Sequence, residues 1–289
     1  MATSEALAIE RLGVADIEAG LALSDAAGWN QGADDWAYFI AQGETFGMRD
    51  DAGRVVATAA ALPYDGGFGW ISMVLVDDAH RHRGVATRLL DTCVASLRRA
   101  GRVPVLDATP AGVEVYRRSG FVSGFAFDRW ERAASGIQPG EAASRGAPDR
   151  PIEARRGADV EDVVALDAAA QRVGRAPLLR AFVARRGARA WLAATRDGFA
   201  IVRPGRHAAQ IGPVVAARTA DALTLVETAL AATVGKVFVD VPARASSLVR
   251  WLEQRGFVHQ RPFVRMALGD GKLLAADLRM FALAGPEFG

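Results

Sequence analysis

The chain has 289 residues, 51% apolar and 24% charged, a globular composition long enough for two domains. Its 35 basic and 33 acidic residues leave a net charge of +2 with no single-sign run or basic stripe, so nucleic acid is not an expected partner. A single cysteine, Cys93, excludes an internal disulfide and a cysteine-rich metal site, no window approaches ~18 uninterrupted apolar residues, so no membrane partner is expected, and without a signal-peptide pattern the default compartment is the cytoplasm.

In chain order the pattern predicts a strand over 8–12, helices over 14–26 and 34–42, and a strand over 45–49. A hairpin turn follows at Asp50-Asp51-Ala52-Gly53. Strand 55–62 leads into the Gly-rich turn Tyr64-Asp65-Gly66-Gly67, then come strand 70–76, helix 84–100, strand 103–107, helix 113–119 and strand 122–130. Cys93 shares a helical face with Leu89, Leu90, Val94 and Leu97 and reads as core. Residues 134–150 are rich in Gly, Pro, Ser and Ala without apolar periodicity and read as a linker between 1–133 and 151–289.

The second part repeats the plan of the first. It reads as strand 152–155, helices 159–170 and 177–186, strands 190–195 and 199–202 around Arg196-Asp197-Gly198, strand 211–216, helix 220–233, strand 237–240 and helix 246–254. The last residues, 279–289, are apolar enough to dock on the fold.

The most informative segment runs from Val74 to Leu90. A β-branched strand enters Arg81-His82-Arg83-Gly84-Val85-Ala86, which opens directly into an amphipathic helix. Unsatisfied N–H groups at a helix N-terminus favour an anion by about 0.3–2 kcal/mol per charge. Gly84 permits a tight curl and close approach, Ala86 is nearly as small, and Arg81, Arg83 and Arg88 can add charge-assisted contacts to phosphate oxygens. Neither a Walker loop nor a Gly-x-Gly-x-x-Gly fingerprint is present. Downstream, Val103–Asp107 is followed by Ala108-Thr109-Pro110-Ala111-Gly112 and a helix with Tyr116 four residues before Gly120-Phe121.

The Arg-x-x-Gly-x-Ala turn, the later Tyr-x-x-x-Gly-Phe and the order of elements resemble the GNAT N-acetyltransferase superfamily. The resemblance implies an α/β fold with a mixed sheet, built as two tandem GNAT-like domains, and acetyl-CoA as the acyl donor. It implies that Val74 and Val76 pair with the pantetheine arm, in a cleft between splayed strands. Arg81, His82, Arg83, Gly84, Val85, Ala86, Thr87 and Arg88 would cradle the pyrophosphate. Tyr116 would protonate the departing thiolate, since a phenol, which ordinarily titrates near pH ~10, is neutral at about pH 7. Asp107, at the end of its strand, is a candidate general base, with capping of the following turn as its other role. Trp29, Asn30, Gln31, Asp35 and Trp36, with Tyr64, are candidates for an aromatic pocket that receives a small-molecule amine.

The second repeat departs from the pattern. After Val215 it reads Ala216-Ala217-Arg218-Thr219-Ala220-Asp221, with no glycine, and Leu252 stands four residues before Gly256. It reads as degenerate, with Asp240 in the place of Asp107. Two other readings remain open: a non-catalytic acyl-CoA sensor, and a thiol-cofactor biosynthetic acyltransferase resembling mycothiol synthase. The latter is understood to use its C-terminal half, whereas here the intact motif is N-terminal. The four histidines suggest neither a hydrolase triad nor a metal site.

Overall fold

The computed structural model describes residues 7–134, 151–154, 158–269 and 277–289, so the linker beyond residue 134 lies outside the described residues. Two compact units are present, 1–104 and 105–289. Among the described residues no helix is long and apolar enough to cross a membrane.

The first unit holds β1 (Ile9–Arg11), α1 (Ile17–Ala26), α2 (Ala33–Gln42), β2 (Glu44–Arg49), β3 (Val55–Pro63), β4 (Phe68–Val76) and α3 (Val85–Arg99). β1 to β4 form an antiparallel meander in which Ile9 faces Met48, Phe46 faces Ala59 and Thr58 faces Leu75. Every residue of β3 except Pro63 is buried, because α1, α2 and α3 all pack against it. The apolar face of α3 explains its place: Leu89, Leu90, Cys93 and Leu97 are buried, as the helical period predicts. Burial pushes the Cys93 thiol up, so it is an inert core residue.

The second unit begins within β5 (Val103–Ala108) and continues with α4 (Pro110–Arg118), β6 (Phe121–Arg132), β7 (Ile152–Ala154), α5 (Ala158–Gln171), α6 (Ala176–Ala184) and β8 (Arg189–Leu192). β9 (Gly198–Arg203), β10 (Ala209–Ala216), α7 (Thr219–Ala231), β11 (Val237–Pro242), α8 (Ser246–Glu253), β12 (Val258–Leu268) and β13 (Met280–Ala282) complete it. Its strands run in the order β5-β12-β6-β11-β10-β9-β8-β7, with β13 on β10. β10 and β11 are parallel and the other pairs antiparallel, a mixed sheet. No sequence pattern announced β13.

The spatial units do not follow the sequence division at 134–150, because the closing strands are exchanged. β12, from the second repeat, lies between β5 and β6 of the first. β6 in turn pairs with β11 of the second, Val239 facing Trp130. The last strands of the first repeat therefore belong to the same sheet as the second repeat.

Candidate active site

In the first unit the strand before the turn is bent. Two residues of β4, Met73 and Val74, stand opposite the single residue between Thr58 and Ala60, which is a β-bulge. Met73 has φ 54°, a region that bulky side chains rarely adopt, and its carbonyl accepts a hydrogen bond from Thr58 Oγ1 at 2.9 Å. Bulges re-aim the residues that follow, here the half-buried Val74 and Val76.

After β4 the Asp77 carboxylate accepts from the Ala79 N–H at 3.1 Å and lies 3.2 Å from His80 Nδ1. That histidine contact and the backbone N–H hold Asp77 below the usual carboxylate range. The chain then passes Arg81, His82, Arg83 and Gly84, all exposed, with His82 at φ 61° and Gly84 at φ 74°. Gly84 is the N-cap of α3, and no side chain caps the helix. A Cβ added to Gly84 would meet nothing within 4 Å, so no other residue packs on that side of the turn. The first N–H bonded inside the helix is that of Arg88, to Gly84 O at 3.1 Å. The N–H groups of Val85, Ala86 and Thr87 are thus the helix-terminal donors that an anion would meet.

The three arginines are not equivalent. Arg81 Nε donates to Val76 O at 3.2 Å, and its Nη2 lies 2.7 Å from Asp78. Arg83 is exposed and makes no ion pair among the described residues. Arg88 is turned away: Nη2 donates to Leu7 O at 2.8 Å, and Nη1 lies 4.0 Å from Met48 Sδ. Its guanidinium is therefore engaged by the backbone just before β1, unlike that of the exposed Arg83.

The proposed acceptor residues separate into two groups. Trp36 is fully buried, and its Nε1 donates to Ser24 Oγ at 2.9 Å. A Cβ on Gly20 would come within 2.6 Å of its ring. It is a core residue, not a pocket wall. Trp36→Ala should therefore cost about 3–5 kcal/mol of stability, read from denaturant unfolding. An unchanged midpoint with a raised acceptor KM would restore the binding role. Asp35 is also structural, since its carboxylate accepts from the Gly32 N–H at 2.8 Å and caps α2. The contact places Asp35 in the capping of α2 and not in the expected pocket. Trp29 is half-buried, whereas Asn30 and Gln31 are 8% and 4% exposed. Gln31 Oε1 is buried with no hydrogen-bond partner among the described residues. Tyr64 is buried with its ring 6.4 Å from Trp70.

Asp107 and Tyr116 lie in the second unit. Tyr116 is half-buried on α4, its ring set edge-on to Phe121 at 6.1 Å. The Asp107 side chain has no exposed surface, and both oxygens are held by Arg265, with Nε at 2.9 Å and Nη2 at 3.0 Å. Burial pushes the Asp107 carboxyl up, and the Arg265 guanidinium opposes the rise. A carboxylate with no exposed side-chain surface and both oxygens on one guanidinium is an ion-pair partner in the sheet, not the free base that its strand-end position suggests.

The partner is a residue that sequence reasoning missed. Arg265 faces Asp107 across β12 and β5, and the arrangement has a twin: Arg129 of β6 faces Asp240 of β11, with both contacts at 2.8 Å. Arg129 stands nine residues after Gly120 and Arg265 nine after Gly256. Each repeat thus lends an arginine to the other repeat's aspartate.

The second repeat's turn is built differently. Arg218 is the N-cap of α7 and is bidentate to Asp221 in the first turn of that helix, at 2.7 and 2.9 Å.

Known proteins share this frame. Residues 20–121 match the acetyltransferase (GNAT) family model, and residues 163–282 match a second acetyltransferase (GNAT) domain model. The uncharacterized N-acetyltransferase YitH of Bacillus subtilis (strain 168) is 23% identical over 244 residues, covering 82% of this chain and 83% of that protein. A crystal structure from Pyrococcus horikoshii, described only provisionally as an acetyltransferase, superposes with a TM-score of 0.80 at 20% identity, covering 98% of this chain and 96% of that one. A tandem GNAT protein from the clavulanic acid biosynthesis pathway gives 0.66 at 18% identity, covering 92% and 99%. The chain belongs to the GNAT acetyltransferases, and within them to the tandem proteins that carry two such domains.

Proposed function

We propose that the first repeat transfers an acetyl group from acetyl-CoA to the amine of a small-molecule acceptor by direct attack, without an acyl-enzyme. The observation that carries this reading is the exposed, Gly84-capped N-terminus of α3, with no side-chain cap and preceded by the bulge at Met73. When bound, the coenzyme supplies the acetyl thioester. Val74 and Val76 offer edge N–H and C=O groups to its arm. The N–H groups of Val85, Ala86 and Thr87, with Arg81, His82 and Arg83, meet its phosphates. Tyr116 holds the phenolic proton that the departing sulfur requires.

Asn30, Gln31, Trp29 and Tyr64 serve the acceptor in this reading. The unpartnered Gln31 carbonyl oxygen suits a donor such as an ammonium or an amide N–H, because a buried acceptor left unpaired costs about 1–3 kcal/mol. Catalysis comes from holding two substrates in line and from backbone N–H groups that polarise the thioester carbonyl. Asp107 serves as the anchor of Arg265, so the acceptor attacks as its neutral amine, the proton that its nitrogen loses passes to solvent, and solvent restores the Tyr116 phenol after it protonates the sulfur.

Calorimetric titration with acetyl-CoA tests the reading on the full chain and on Gly84→Glu. That variant places an L side chain at φ 74°, costing about 1–2 kcal/mol, and sets a carboxylate where a phosphate must lie. One site per chain, weakened at least about 100-fold in the variant, is expected from the loss of anion contacts worth several kcal/mol together. Absence of binding in the parent chain would sink the acetyltransferase reading.

A further inference from the structure

The cleft of the second repeat is filled by the chain itself. β10 and β11 pair in parallel only where Ala209 faces Val237, Gln210 faces Phe238 and Ile211 faces Val239. Beyond Ile211 β10 changes partner: Val214 faces Ala282 and Val215 faces Met280 of β13. The Ala216 N–H donates to Arg279 O at 2.9 Å, and on the other side the Leu283 N–H donates to Asp240 O of β11 at 2.8 Å. A peptide strand therefore lies between two parallel strands that have parted, hydrogen-bonded to both. In the first repeat the corresponding strand edge is the one assigned to the pantetheine arm.

The occupant is held tightly. A Cβ on Gly212 would overlap Leu283 O, so only glycine lets the segment pass. Leu283, Ala284 and Phe288 are completely buried, and the Phe288 ring meets Phe182 edge-on at 5.1 Å. Two arginines, each 3% exposed, clamp the backbone. Arg203 donates to Gly212 O at 3.1 Å and to Ala284 O, lies 3.2 Å from the Glu287 carboxylate, and stacks on Phe182 at 4.3 Å. Arg175 is bidentate to Asp167 at 2.8 and 2.9 Å and donates to Phe288 O at 3.1 Å and to Gly289 O. A buried guanidinium is tolerated only when its N–H groups are met, so the carbonyls of 284–289 are part of what keeps both arginines inside.

We propose that residues 279–289 are the built-in occupant of the second repeat's acyl-CoA cleft, a peptide strand standing where a pantetheine arm would pair. The second repeat is then closed to coenzyme, and the chain binds a single acyl-CoA, in the first repeat. The coenzyme's place in this proposal rests on the proposed function; the occupancy itself rests on the hydrogen bonds to β10 and β11.

Hydrogen exchange on the full chain and on Gly84→Glu, each with and without millimolar acetyl-CoA, tests this. The amides of 214–216 and 281–283 are expected to exchange at least ~100-fold more slowly than open chain without ligand, and acetyl-CoA is expected to leave them unchanged in both proteins. Exchange of 281–283 at the open-chain rate without ligand would overturn the proposal. So would acetyl-CoA releasing 281–283 while 209–216 stay protected, because coenzyme would then have displaced the strand. If residues 81–90 gain no protection in the parent chain, the acetyltransferase reading fails, and the ligand-free arm still decides the occupancy.

Discussion

Replacing Asp107 by asparagine is expected to destabilise the protein by about 3–5 kcal/mol, the cost of leaving a buried charge unpaired, and to lower the melting temperature by on the order of 10 °C. The reason is the environment of Arg265. Its side chain is 5% exposed, and both of its contacts to Asp107 are lost or weakened when the carboxylate becomes an amide. The pair joins β5 to β12, so the damage falls on the strand exchange itself. Removing both charges with apolar residues of similar size, Asp107→Leu with Arg265→Met, is expected to recover most of the loss, because the desolvation of two ions disappears with their attraction. The same logic applies to Asp240 and Arg129, where Gln210 Nε2 also donates to the carboxylate at 3.0 Å. Thermal melting beside steady-state rates distinguishes the roles. An Asp107→Asn protein that melts like the parent yet has lost its activity would return Asp107 to the position of general base.

Replacing Tyr116 by phenylalanine is expected to lower kcat by about 10²–10⁴-fold, the range for removing a positioned general acid, with acetyl-CoA affinity unchanged. Phenylalanine keeps the ring against Phe121 and over Gly112, so stability should move by no more than about 1.5 kcal/mol, the scale of one hydrogen bond. Free-thiol release measures the rate, and calorimetry on the same sample measures binding. A loss of less than about threefold would show that the proton reaches the sulfur from elsewhere, for example from water. Full binding with no turnover in the parent across a broad amine panel would instead favour an acyl-CoA sensor.

The part of the site that sequence made legible is the part whose physics is local. The turn from Arg81 to Ala86 needs a glycine where the backbone is left-handed and a helix directly after it, and both requirements lie within six residues. Gly84 at φ 74° as the N-cap of α3 follows from that local grammar. Trp36 misled for the opposite reason. Its neighbours in sequence, Trp29, Asn30 and Gln31, suggest an aromatic pocket, but Gly20 and Ser24 on the preceding helix make a slot into which the indole fits. A side chain's period says that it faces a helix partner; only the packed partner says whether solvent remains. Asp35 likewise looks like its neighbour Asp34 in sequence, but it is the buried one, and its carboxylate reaches the Gly32 N–H.

The sequence by itself determined the two-fold repeat, the α/β elements and the glycine turn that opens into α3, because these arise from short-range periodicity and backbone chirality. The tertiary structure alone decided the strand exchange, the ion pairs and the filled cleft. Asp107 meets an arginine 158 residues away, and Asp240 one 111 residues away. The sequence held two traces of this, Asp240 in the place of Asp107 and the equal spacing of Arg129 and Arg265 after their glycines, and neither said which arginine meets which aspartate. Which strand lies beside which is set by burial summed over a whole sheet, and no local window carries that sum. The segment 279–289 shows the same limit: its apolar character said that it would be buried, and only the parting of β10 from β11 provided the place.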